Sequence, residues 1–180
     1  MNKNLERVIE IPSGVEVLIS GHVVTVKSSG KEVRKEFDMG KIKVSVEGSE
    51  IKLVSKNASR RESKMIGTIW AHLKNMISGV QKDFVYEMEI CNVHFPMNVK
   101  INGDEITIKS FLGEKQDRFA KIMPETKVDI KGSFITITSH NKEMAGQTAA
   151  NIEKATKLTG RDRRIFQDGI FITNKCGRKI

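Results

Sequence analysis

The sequence predicts an α+β protein built by tandem duplication of a small unit of antiparallel strands packed on one helix. Three observations carry this reading. Apolar and polar residues alternate along most of the chain, two stretches break that alternation with helical spacing, and the pattern occurs twice within 180 residues.

In the first copy Val15, Val17 and Ile19 alternate, as do Ile42, Val44 and Val46, and Ile51 with Leu53. A period of two puts one face in a core and the other in solvent, an antiparallel arrangement. Ser20-Gly21 and Gly48 sit where tight hairpins need positive φ. A helix follows: Ser59 and Glu62 form a capping box, and Ile66, Ile69, Leu73, Met76, Ile77 and Val80 recur on one face, with Gly79 as a stop. Trp70 belongs to this stripe and reads as core.

The second copy repeats the first. Segment 97–110 lies over 15–28, with Gly103 on Gly21 and Thr107, Lys109 and Ser110 on Thr25, Lys27 and Ser28. Segment 126–141 lies over 42–57, with Gly132, Ser133, Ser139 and Asn141 on Gly48, Ser49, Ser55 and Asn57. Phe84 to Phe95 alternates as a long strand that Pro96 ends. The second helix is expected from Lys142 to Leu158, with Ala145, Ala149, Ile152 and Ala155 as a small-residue face and Gly160 as terminator. The domains are thus expected at 1–81 and 82–180.

Charge is distributed unevenly. The chain holds 31 Lys and Arg against 22 Asp and Glu, net +9, which points to a polyanionic partner. Residues 82–153 carry 9 basic and 11 acidic side chains, whereas 154–180 carry 8 basic and only 2 acidic. That tail holds Lys154, Lys157, Arg161, Arg163, Arg164, Lys175, Arg178 and Lys179. Interleaved Ile165, Phe166, Ile170, Phe171 and Ile172 are expected to dock it on the domain, with Asp168-Gly169 as a turn, so that the cations form a fixed array. Arginine at 161, 163 and 164 suits bidentate phosphate recognition.

Several classes drop out. No run of apolar residues exceeds three, too short for a membrane span or a secretory segment. Cys91 and Cys176 read as free thiols. Dinucleotide, P-loop, serine-hydrolase and zinc-protease motifs are absent. Cys91-x-x-His94 lacks a second ligand pair, and Asp104-Glu105 read as solvated turn residues. His140 shows no activating carboxylate in sequence. No catalytic residue, metal, cofactor, small-molecule substrate or membrane is expected. A free RNA-binding regulator and an RNA-processing enzyme with a site assembled in three dimensions share the charge pattern.

RRIFQDGIFI (Arg163 to Ile172) resembles the C-terminal signature of a universal large-subunit ribosomal protein family, numbered six in bacteria and nine in eukaryotes, in its archaeal and eukaryotic branch. VIEIPSGVEV, HLKNMISGV, HFPMNV and FLGEK agree with it, so the resemblance spans nearly the whole chain. It implies a duplicated α+β fold, no enzymatic activity, and a structural role in the large subunit. It also implies binding to ribosomal RNA, mainly through domain two, near the sarcin–ricin loop and the stalk base, beside neighbouring ribosomal proteins. The implied location is the cytoplasmic ribosome, with nucleolar assembly in a eukaryote. The signature carries over to Arg164, Phe166, Asp168 and Gly169, and the basic positions to Arg161 and Arg163. Lys115 and Arg118 follow as RNA-facing loop residues. Phe171 stands where the family usually has Tyr.

Overall fold

Strand alternation decides what each strand buries. In the second half, Ile135 and Ile137 are fully buried while Phe134 is exposed; each such isoleucine contributes about 2–3 kcal/mol. The computed structural model describes residues 3–28 and 30–180, and the chain divides into two units, Met1–Asp83 and Phe84–Ile180.

The first unit runs β1 (Lys3–Glu10), β2 (Glu16–Ser20), β3 (Val23–Ser28), β4 (Lys31–Glu36), β5 (Lys43–Glu47), β6 (Glu50–Ala58) and helix α1 (Arg60–Gln81). Its sheets have the orders β1-β6-β5 and β2-β3-β4. Ser59 caps α1 in a complete capping box with Glu62. Ile66, Ile69, Leu73 and Val80 of the helix pack with Val24, Val26, Ile51 and Leu53 of the strands in one core. Trp70 is partly buried against this core; its indole N–H donates to the Val8 carbonyl.

The second unit runs β7 (Phe84–Cys91), β8 (Asn98–Asn102), β9 (Glu105–Lys109), β10 (Arg118–Lys121), β11 (Lys127–Lys131), β12 (Phe134–Ser139), helix α2 (Lys142–Ala155), β13 (Gly169–Lys175) and β14 (Arg178–Lys179). Its sheets have the orders β10-β9-β8 and β11-β12-β7-β13-β14. The duplication is therefore topological. β7, β12 and β11 repeat β1, β6 and β5, and β8 to β10 repeat β2 to β4. The second unit adds β13 and β14 on the outer edge of β7. All pairings are antiparallel.

Four expectations are corrected. Helix α1 passes through buried Gly79 to Gln81; one interior glycine costs about 1 kcal/mol, which the packed stripe outweighs. Helix α2 ends at Ala155 because the Thr156 hydroxyl accepts the Ile170 N–H at 3.0 Å; Gly160 lies in the following loop. Strand β7 stops at Cys91, well before Pro96, because the Val93 and His94 amides turn to Asp168. Asp168-Gly169 is not a turn: Asp168 is buried and Gly169 opens β13. Both cysteines are free. Among the described residues no helix is long and apolar enough to cross a membrane, and no cluster of metal-ligating side chains occurs.

Candidate nucleic-acid interface

The loop between α2 and β13 is built on internal hydrogen bonds. The Asp162 carboxylate accepts from the Arg164 backbone at 2.9 Å, and its carbonyl accepts from Phe166 at 2.9 Å. This Asx turn sets Arg161, Arg163 and Arg164 on an exposed bend. The Arg161 guanidinium lies 4.8 Å from the centre of the Phe166 ring, and that ring stacks on His94 at 4.9 Å between centroids.

Asp168 is the keystone. Its Oδ1 accepts from the amides of Val93 at 2.8 Å and His94 at 2.9 Å, and its Oδ2 lies 2.6 Å from His94 Nδ1. Burial pushes this carboxyl up, but the bonds from His94 and Val93 outweigh it and hold the group below its ordinary value. Gly169 follows because a Cβ there would meet the Phe171 ring at 2.8 Å.

A third loop joins these two. Ser110 and Leu112 take left-handed backbone, φ +59° and +51°, a strain held by buried Phe111. Arg118 stacks over the Phe111 ring at 4.2 Å. The same guanidinium donates to both Glu114 carboxylate oxygens and to the Ala155 carbonyl at the end of α2. Its bonds hold the Glu114 carboxyl below the usual range. Arg118 is thus a brace between loops, its donors committed within the fold. Lys115, in the loop it braces, is exposed. The Phe95 ring lies against Gly113, so the segments around His94, Lys115 and Arg161 converge.

The expected single array divides in two. Lys157, Arg161, Arg163 and Arg164 surround the loop. Lys154, Lys157 and Arg163 flank a cleft of about 310 Å³ with Thr156, Leu158 and Phe171 on its walls. Lys175, Arg178 and Lys179 stand at the far end of β13 on the closing hairpin. At about 3.3 Å per strand residue that end is roughly 20 Å from Gly169. Ile165 does not dock; it is 64% exposed. Arg164 is exposed but already paired, its guanidinium 2.9 Å from Asp162. That pairing holds the Asp162 carboxyl below its ordinary value.

His94 was not among the expected site residues. Its signal was a histidine just past a strand, with two acids in the tail, Asp162 and Asp168, one of which holds it. His140 does have a carboxylate neighbour, Glu125, 3.2 Å from Nε2.

Fold and site together define a duplicated α+β protein with a preformed cationic loop surface on its second unit. Comparison with known proteins makes the family explicit. The model of the family described as Ribosomal protein L6 matches residues 11–83 and 95–169. The large ribosomal subunit protein uL6 of Methanosarcina mazei is 48% identical over 177 residues, 98% of this chain and 100% of that protein. That of Methanobrevibacter smithii is 46% identical over 167 residues, 93% of this chain and 94% of the relative. The Methanococcus vannielii protein of the same name is 43% identical over 172 residues, 96% of this chain and 94% of its own. The chain belongs to the ribosomal protein L6 family, on its archaeal branch. That family is one of structural ribosomal proteins and not of enzymes.

Proposed function

We propose that the chain is a structural constituent of the large ribosomal subunit, bound to its RNA mainly through the second unit. In the same reading it sits near the sarcin–ricin loop and the stalk base, with neighbouring ribosomal proteins beside it. The observation that carries this is the cationic bend of Arg161, Arg163 and Arg164, held by Asp162, Phe166 and Asp168 before any partner arrives. Such preorganisation lowers the entropy lost on binding. The hairpin agrees: Lys175 pairs with Arg178 across its turn, a like-charge pair that disfavours the hairpin unless a polyanion covers it.

The cations of Lys157, Arg161, Arg163, Lys115 and the hairpin displace counterions and position the protein. Recognition is of RNA shape and 2′-hydroxyls. With about five of these cations each neutralising a phosphate, log K falls against log salt with a slope of roughly −4. The test is a sucrose gradient of lysate probed for the protein, with and without a high-salt wash. Co-migration with large subunits through the wash supports the reading. Sedimentation as a free protein of 20.2 kDa overturns it in favour of a non-ribosomal RNA-binding regulator.

A further inference from the structure

We propose that His94 contacts the RNA directly, presenting Nε2 as a hydrogen-bond acceptor to a ribose 2′-hydroxyl beside a phosphate held by Arg161. This rests on the RNA-binding reading above and names an atom that reading does not use.

The argument is geometric. Nδ1 lies 2.6 Å from Asp168 Oδ2, and a carboxylate that already accepts two backbone N–H groups is an acceptor on that side as well. Nδ1 therefore carries the proton, and in its neutral form the ring places its lone pair on Nε2. The ring cannot turn away, because its own amide is tied to the same carboxylate and its face is stacked on Phe166. This is the fixing of ring and tautomer by a carboxylate that orients histidines holding a ligand through the other nitrogen. The His94 side chain is 34% exposed, and among the described residues nothing bonds Nε2.

The ligand follows from the neighbours. A lone pair repels a phosphate oxygen and accepts from a hydroxyl. Arg161 lies against the same Phe166 ring and supplies the donors a phosphate needs. An acceptor and a guanidinium that share one aromatic ring as their support suit one ribose and its phosphate. The 2′-hydroxyl is the donor present on every RNA sugar and missing from DNA.

His94→Asn separates the two jobs of the imidazole. Its amide can still donate to Asp168 from the position of Nδ1, and it has no atom in the place of Nε2. The full chain and this variant are titrated with an in vitro transcribed large-subunit ribosomal RNA, and again with transcripts carrying scattered 2′-deoxynucleotides. The expected result is a melting temperature lowered by no more than the lost stack on Phe166, about fivefold weaker binding, the worth of one ordinary hydrogen bond, and one 2′-deoxy interference seen with the wild type only. Equal affinities, or identical interference patterns, overturn the proposal. Should the variant melt early, the wild-type ¹⁵N imidazole spectrum decides. An Nε2 resonance that moves on adding RNA supports the contact, and one that stays overturns it. Failure of the wider reading looks different: the wild type itself then binds this RNA without steep salt dependence.

Discussion

The Asp168 carboxylate holds His94 twice, at the backbone amide by 2.9 Å and at ring Nδ1 by 2.6 Å. One buried acid just before β13 thereby fixes a loop that lies 74 residues earlier in the chain. Removing it leaves the Val93 and His94 amides and the imidazole without their acceptor. Asp168→Ala is expected to destabilise the protein by about 3 kcal/mol. Asp168→Asn, which can still accept from both amides, is expected to cost less. Urea denaturation of the three proteins checks the order.

The same group sets a pH dependence. Its folded value lies below the ordinary carboxylate value. Its contribution is therefore fully present above the unfolded value of about 3.9 and is lost as pH falls through the folded value. Between pH 5 and pH 3 the wild type should lose more stability than Asp168→Asn does, as read from denaturation midpoints at each pH. Parallel curves would mean that Asp168 has the same affinity for its proton folded and unfolded.

Arg118 separates stability from binding. It ties Glu114, the Phe111 ring and the Ala155 carbonyl together. Arg118→Ala should cost about 2 kcal/mol of stability, from the lost charge-assisted bonds and the ring contact. Its effect on RNA affinity should be smaller than that of Arg163→Ala. A drop in affinity equal to that of Arg163→Ala, with an unchanged melting temperature, would make Arg118 an RNA contact instead of a brace.

What was legible in the sequence was local or repeated. The turn glycines Gly21, Gly48, Gly103 and Gly132 all take φ near +60°, at +61°, +60°, +60° and +60°, so the duplication shows as matching punctuation. The Ser59 capping box needs only residues three apart. The errors all come from contacts made across the chain. Helix α2 ends early because of Ile170, 14 residues on from Thr156. The bond from Arg118 to the Ala155 carbonyl, 37 residues away, is likewise beyond a reading of the sequence. Asp168 and Gly169 have the composition of a turn, and only the partner amides near His94 show why the acid is buried. The basic tail was visible as composition, but a seven-residue strand, Gly169–Lys175, splits it into two sites, and composition carries no such spacing.

Arg163 and Arg164 are neighbours with different expected weights in binding. Arg163 stands at the cleft beside Lys154 and Lys157, whereas Arg164 is held by Asp162 through both carboxylate oxygens. Arg163→Ala should reduce the salt slope of RNA binding by about one phosphate's worth, and Arg164→Ala by less. The sharper test is Asp162→Asn. The amide oxygen can still accept the Arg164 backbone N–H that makes the turn, while the charge that occupies the guanidinium is gone. Arg164 is then free for phosphate, so RNA binding should tighten severalfold and its salt slope should steepen by about 1. Filter binding across a salt series measures both. Weaker binding by this variant would show that the Asp162–Arg164 pair is itself the shape the RNA reads.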